Sequence, residues 1–135
     1  MRLSNVCFVY ATCCIVVGMS LGIQMGIAQD FSLAPAHAHL NLVGWVSVFL
    51  IGLYHRGQKR PTTGLDRLQA GLLMVGMPSF VGSHAVHLTT TEPAVDAVAF
   101  AFTVVGTLLC LIAMILLLVI VLRDARQEEP TFATA

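Results

Sequence analysis

Ala36 to Tyr54 reads AHAHLNLVGWVSVFLIGLY. Two histidines separated by one alanine, His37 and His39, open a segment that is otherwise nearly all apolar and long enough to enter a membrane. An ionisable side chain at membrane depth is costly to desolvate, so it usually has a partner. Because neutral imidazole is a common ligand of metal ions and haem iron, this His-Ala-His motif predicts a cofactor or metal site.

The composition is that of an integral membrane protein. Hydrophobic residues make up 57% of the chain and charged residues 10%, with a mean hydropathy of +0.85, whereas soluble domains carry about 25% charge. The formal net charge is zero, which removes the electrostatic basis for a nucleic-acid partner. The four cysteines form no CxxC or CxxCH motif, so we interpret them as packing residues and exclude covalent c-type haem attachment.

Four segments are apolar over the roughly 20 residues that a helix needs to cross a bilayer core about 30 Å thick. They predict helices over residues 6–28, 36–54, 68–88 and 95–122, followed by a disordered polar tail over about 125–135. The first segment is longer than the apolar region of a signal peptide, so we expect it to be retained. The sequence therefore predicts a single all-α domain over 1–135, an integral membrane four-helix bundle.

Glycine and proline mark two special places inside these helices. Gly18, Gly22 and Gly26 recur every four residues on one face of the first helix, a pattern typical of close helix packing in membranes. Pro78 lies inside the third helix and lacks the N–H of a helical hydrogen bond. It predicts a kink and a freed carbonyl near the middle of that helix.

The charged residues predict the orientation. On one side of the predicted membrane lie all seven basic residues, namely Arg2, Arg56, Lys59, Arg60, Arg67, Arg123 and Arg126. The other side carries Asp30, Glu92 and Asp96 with no Lys or Arg. By the positive-inside rule both termini are cytoplasmic, and we expect the lipid bilayer of a bacterial inner (cytoplasmic) membrane as the environment.

This topology brings four histidines to one depth. His37 and His39 fall at the outer start of the second helix, and His84 and His87 at the outer end of the third. These four imidazoles are the predicted cofactor-binding and metal-binding residues. His55 lies at the opposite, basic boundary, and we interpret it as an ordinary solvated histidine.

Helical spacing limits how these imidazoles combine. His84 and His87 are three residues apart and share a helix face. His37 and His39 are two residues apart, which turns them by about 200° relative to each other. We therefore expect the HxH to serve two sites, one of them completed by a neighbouring subunit of a homo-oligomer.

The residue types leave the cofactor open. Two imidazoles suit a b-type haem held between helices, whereas three imidazoles with an open position suit copper or zinc. Asn41, Ser83 and Thr89–Thr91 either hold the second N–H of an imidazole or serve as helix caps and loop residues. Glu92 and Asp96 either supply protons or metal oxygens, or are solvated acids at a helix start.

The HxH segment, with Phe49–Tyr54 (FLIGLY) after it, resembles the tenth helix of the catalytic subunit of haem-copper oxidases, especially cbb-type oxidases and nitric oxide reductases. The resemblance implies that His37 ligates the high-spin active-site haem and His39 the low-spin haem. His84 and His87 occupy a place comparable to the family's active-site copper ligands, although those are adjacent histidines. A related HxHL segment also occurs in haem- and copper-containing membrane proteins of nitric oxide metabolism.

The resemblance also implies an assembly. The family's catalytic subunit has a twelve-helix core made of three sets of four, with ligand-bearing helices second in each set, so a homotrimer of this chain would resemble that core. Two family features are missing here: no tyrosine lies near the outer histidines, and no acid or lysine lies in the middle of the second to fourth helices. We therefore do not expect proton pumping.

These observations favour one function among three. We expect a homotrimeric membrane haem b protein, with copper as the alternative occupant of one site, that transfers electrons to an unidentified redox partner or binds O2 or NO. Oxidoreductase turnover is left open. A haem-free copper or zinc protein and a structural accessory subunit are the two alternatives.

Overall fold

The structure, a computed structural model, describes residues 1–128. That part of the chain contains no strand and folds into four helices, α1 (Leu3–Ala28), α2 (Ala34–Gly57), α3 (Gly64–Thr89) and α4 (Pro93–Glu128). Each helix is long and apolar enough to cross a membrane. The predicted all-α class and the four membrane helices are therefore confirmed.

The last helix extends beyond its predicted end. α4 continues to Glu128, so the first residues of the predicted disordered tail are helical. Asp124 holds this end in place, because it accepts hydrogen bonds from Tyr54 at 2.5 Å and from Arg60 at 2.6 Å. The rest of the predicted tail, 129–135, lies outside the described residues.

The four helices form two antiparallel hairpins. α3 and α4 make the most extensive contact, α1 packs along α2, and the hairpins meet where α3 contacts α1 and α2. Two clusters of buried residues fill the interior, one of Cys7, Ala11, Val48, Ile51, Ala70, Leu73 and Ala113, the other of Cys14, Ala36, Leu40, Met77 and Val81. Most other apolar side chains point outward, as expected for helices surrounded by lipid.

Opposite charges mark the two ends of the molecule. At one end, which we call the basic end, Arg60 of the α2–α3 loop bonds to Asp124 near the end of α4, and Arg2 and Arg67 line one cleft. Asp30, Glu92 and Asp96 belong to the turns at the other end, which we call the acidic end.

α2 is wound in two ways. Ala34–His39 and Val48–Gly57 are α-helical, whereas Leu40–Ser47 between them is π-helical. π-Helical turns are rare in proteins overall, and those that occur often lie at functional sites. Here the wider winding begins directly after His39, which the uniform apolar pattern of the sequence did not predict.

The glycine pattern on α1 contacts side chains of α2. A Cβ atom on Gly18 would overlap the Asn41 side chain, and one on Gly22 would lie 2.9 Å from Cε1 of His37. A Cβ atom on Gly26 would have no neighbour within 4 Å. Gly18 and Gly22 therefore form a notch for two polar side chains, and Gly26 makes no close contact.

The backbones of α3 and α4 approach each other closely at two glycines. A Cβ atom on Gly76 would come within 3.0 Å of the Gly106 carbonyl oxygen, and one on Gly106 would overlap the backbone of Phe80. Absence of side chains at both positions lets the two helices touch, as is common between membrane helices.

Pro78 leaves one carbonyl of its own helix without a helical donor. Because proline lacks an N–H, it cannot donate to the carbonyl of Met74 one turn earlier. The hydroxyl of Tyr10 donates to that carbonyl instead, at 2.9 Å. The prediction of a freed carbonyl is confirmed, and the hydrogen bond ties α1 to α3 inside the membrane.

Ion pairs fasten the basic end. Arg60 donates to Asp66 at 2.6 and 2.9 Å and to Asp124 at 2.6 and 2.8 Å. Asp66 is fully buried and also closes the capping box of α3 with Thr63. The hydrogen bonds from Arg60 to the two carboxylates raise the pKa of its guanidinium above the ordinary value. Arg60 of the α2–α3 loop thus joins the start of α3 to the last turns of α4.

Replacing Arg60 by methionine should destabilise the fold by about 3 kcal/mol, because a buried carboxylate is left without its cation. Thermal unfolding in detergent measures the effect. Arg126→Met, which removes an exposed arginine of α4, should change stability by less than about 0.5 kcal/mol. Equal melting temperatures for the two variants would show that the Arg60 ion pairs contribute nothing to stability.

Candidate functional site

His37 lies in the notch of α1. Its Nδ1 is 2.9 Å from the Gly18 carbonyl oxygen and its Nε2 is 3.0 Å from Nδ2 of Asn41. Because a carbonyl oxygen only accepts, Nδ1 carries the proton, and Nε2 accepts from the Asn41 amide. Both ring nitrogens of this half-buried imidazole therefore have partners in the same chain.

Asn41 holds His37 one turn further along α2. Of the polar residues proposed to hold an imidazole, only Asn41 does so in the described part of the chain. Ser83 instead donates to backbone carbonyls of its own helix and contacts Thr103, and Thr89 donates to Ala85. The Oδ1 atom of Asn41 is buried, and within residues 1–128 it has no hydrogen-bond partner.

His39 faces away from this notch. Its Nδ1 lies 2.7 Å from the Pro35 carbonyl oxygen, so Nδ1 donates its proton and Nε2 keeps a lone pair. The ring meets Phe80 of α3 edge-on, with ring centroids 4.8 Å apart. The prediction that the HxH points in two directions is confirmed.

The position of α2 explains why both histidines find contacts in one chain. α2 packs against α1 on one side and α3 on the other, so His37 contacts Gly18 while His39 contacts Phe80. Both imidazoles thus have contacts within one chain, and these contacts do not require a neighbouring subunit. The homotrimer stays a prediction.

His84 and His87 continue a row of rings that His39 begins. His84 stacks on Phe80 at 5.9 Å, and the centroids of His84 and His87 are 6.3 Å apart. Nδ1 of His84 is buried and has no hydrogen-bond partner in the described chain. We call His39, Phe80, His84 and His87 the imidazole row.

Asp96 ends the imidazole row on α4. Nδ1 of His87 lies 2.5 Å from Oδ1 of Asp96, and the His87 ring contacts Phe100 at 5.7 Å. A histidine whose Nδ1–H bonds to a carboxylate is oriented to use Nε2 as a ligand. The sequence favoured the interpretation of Asp96 as a solvated acid at a helix start. Its one indication of the pairing was that Asp96 and His87 both fall at the acidic end.

The row has no preformed site for a single metal ion. In residues 1–128 no three or more His, Cys, Asp or Glu side chains are grouped so that they could hold one ion. The four imidazoles predicted at one depth are therefore divided, with His37 on the α1 side and the other three in the imidazole row.

His55 differs from its prediction. It is half-buried at the basic end, and its Nε2 is buried with no hydrogen-bond partner in residues 1–128. The fully buried Gln69 of α3 likewise has both amide atoms unpaired. Burial beside α3, which the sequence pattern did not reveal, keeps Nε2 of His55 from the expected solvent.

No protein-family model, curated protein or solved structure matches the chain. The likeness of the HxH segment to haem-copper oxidases therefore stays a prediction.

Gly18→Ala should disturb the His37 notch, because the added Cβ would overlap Asn41. We expect a loss of about 1–3 kcal/mol in stability, the usual cost of overpacking, measured by thermal unfolding in detergent. Gly26→Ala is the matched control on the same helix, and open space around its Cβ predicts no loss. A Gly18→Ala variant as stable as Gly26→Ala would contradict the notch.

Proposed function

We propose that this chain is an integral membrane haem b protein whose haem is held by the imidazole row, with His39 and one of His84 or His87 as axial ligands. The observation that carries the proposal is the row of three imidazoles on two neighbouring helices, in which Phe80 contacts His39 and His84, and His87 follows His84. The lipid bilayer surrounds this site, since the helices that carry it are apolar enough to span a membrane.

The ring nitrogens suit this role. Haem-ligating and metal-ligating histidines commonly donate Nδ1–H to a carbonyl or carboxylate and coordinate through Nε2. His39 donates to Pro35 and His87 to Asp96, so both keep Nε2 for a ligand. His84 contributes a buried Nδ1 without a partner, an arrangement that costs about 1–3 kcal/mol unless something binds there.

The donor set fits haem better than a bare metal ion. Copper and zinc sites need three or four protein ligands converging on one ion, and residues 1–128 offer no such group. A porphyrin supplies four nitrogens itself, so one or two imidazoles complete the coordination of its iron. Phe80 and Phe100 add apolar ring surface beside the histidines.

Haem b bound here would supply one-electron chemistry when two imidazoles ligate it, or a position for O2 or NO when one does. The protein's own part is to orient the imidazoles. Pro35 and Asp96 keep protons on Nδ1 of His39 and His87, and the Phe80 ring packs against His39 and His84. By the positive-inside rule the basic end is cytoplasmic, so the haem lies near the outer surface of a bacterial inner membrane.

His37 stands outside this haem site. The resemblance to haem-copper oxidases implied that His37 holds a second haem, but Gly18 and Asn41 already occupy its two ring nitrogens. We infer that His37 fastens α2 to α1. A homotrimer, and copper in place of a second haem, stay predictions of the sequence.

A visible spectrum of the protein purified from haem-supplied cells tests the proposal. We expect a Soret band that corresponds to at least about one haem bound per chain. His39→Ala should abolish or shift the band, since it removes an iron ligand, whereas His55→Ala at the basic end should leave it unchanged.

Three results would count against the haem site. Absence of a Soret band despite adequate haem would sink the proposal, and stoichiometric copper or zinc without haem would favour the metal alternative. An unchanged spectrum in a folded His39→Ala variant would clear His39 of the ligand role. His84→Ala and His87→Ala, compared by electron paramagnetic resonance, identify the second axial ligand.

A further inference from the structure

A second candidate site lies at the basic end, far from the imidazole row. The beginnings of α1 and α3 border a cleft of about 810 Å³. Its lining residues are Met1, Arg2, Leu3, Val6, Pro61, Thr62 and Arg67. We call it the Arg2–Arg67 cleft, because Arg2, directly before α1, and Arg67 of α3 line the same space.

The two arginines keep their positive charge uncompensated within the described chain. Among the described side chains, those of residues 1–127, no acidic one lines the cleft, and neither Arg2 nor Arg67 belongs to an ion pair. The nearest carboxylate in sequence, Asp66, is fully buried and bonded to Arg60 and Thr63.

Asp124, one turn before the end of α4, is also engaged elsewhere. It accepts hydrogen bonds from Tyr54 and Arg60. The Arg60 ion pairs therefore occupy the two buried carboxylates of this end, Asp66 and Asp124, and neither of them contacts the cleft arginines. The beginnings of α1 and α3 add to the positive charge of the arginines, since N-terminal helix ends carry partial positive charge.

The apolar part of the cleft sets the kind of ligand. Leu3 and Val6 belong to the first turn of a helix that is apolar enough to span a membrane. The cleft therefore lies where the hydrocarbon core meets water, with guanidinium groups at head-group level and apolar side chains toward the bilayer. Basic pockets between helices at this level bind the head groups of anionic lipids.

We propose that the Arg2–Arg67 cleft binds the phosphate head group of an anionic membrane phospholipid. Guanidinium groups donate paired hydrogen bonds to phosphate oxygens, and the acyl chains lie along Leu3 and Val6. A free phosphate would use the same two arginines but none of the apolar lining. This inference concerns a different end of the molecule and does not depend on haem binding.

Native mass spectrometry of the full chain in detergent tests this proposal. The probes are phosphatidylglycerol, phosphatidylcholine and inorganic phosphate, added separately and in competition. We expect the wild type to retain phosphatidylglycerol in preference to phosphatidylcholine. In the double variant Arg2→Gln/Arg67→Gln the ratio of bound phosphatidylglycerol to phosphatidylcholine should fall about tenfold. Lys59→Gln/Arg126→Gln removes the same charge outside the cleft and should keep most of the preference.

The outcomes separate a site from general attraction. Equal losses in the two double variants would show unspecific electrostatics and overturn the proposal. Displacement of the lipid by millimolar inorganic phosphate would assign the cleft to free phosphate and overturn it as well. Melting temperatures of both double variants, which we expect to be close to the wild-type value, exclude unfolding as the cause of a selective loss.

Discussion

Imidazole nitrogens inside a bilayer need partners, and α2 meets this need by placing its two neighbouring histidines on opposite sides. His37 donates a hydrogen bond to the Gly18 carbonyl and accepts one from the Asn41 amide, which joins α2 to α1. His39 bonds within α2 and turns its ring to Phe80 of α3. Both ring nitrogens of His37 are thereby engaged in holding the fold, whereas His39 keeps the lone pair of its Nε2.

The rest of the architecture positions these two faces. Tyr10 bonds to the carbonyl that Pro78 leaves free, which fixes α1 against α3 at the depth of the second buried cluster. The contact of Gly76 with Gly106 brings α4 close to α3, so that Asp96 reaches His87. At the basic end the Arg60 ion pairs close the bundle and leave other arginines facing the membrane boundary. Polar groups therefore connect different elements at the two ends, His87 with Asp96 at the acidic end and Arg60 with Asp66 and Asp124 at the basic end.

Much of the fold could be predicted from the sequence because bilayer thickness and helical geometry are strict constraints. Apolar runs located the four helices, and the two-residue spacing predicted the opposed directions of His37 and His39. Glycine spacing on α1 indicated a close approach but not what approaches, so the notch for Asn41 was missed. Pairs such as Arg60 with Asp124 are separated by 64 residues, and no local pattern reveals them.

Solid-state ¹⁵N NMR of the histidine-labelled protein in bilayers tests most directly which ring nitrogens the fold uses. At mildly alkaline pH, where imidazole is neutral, the spectrum distinguishes a proton on Nδ1 from one on Nε2. Comparison with His37→Ala and His39→Ala assigns the signals. We predict that both histidines carry the proton on Nδ1, with His37 bonded to the Gly18 carbonyl. Protonation of both residues on Nε2 would contradict this account of how α2 connects the bundle and keeps His39 available.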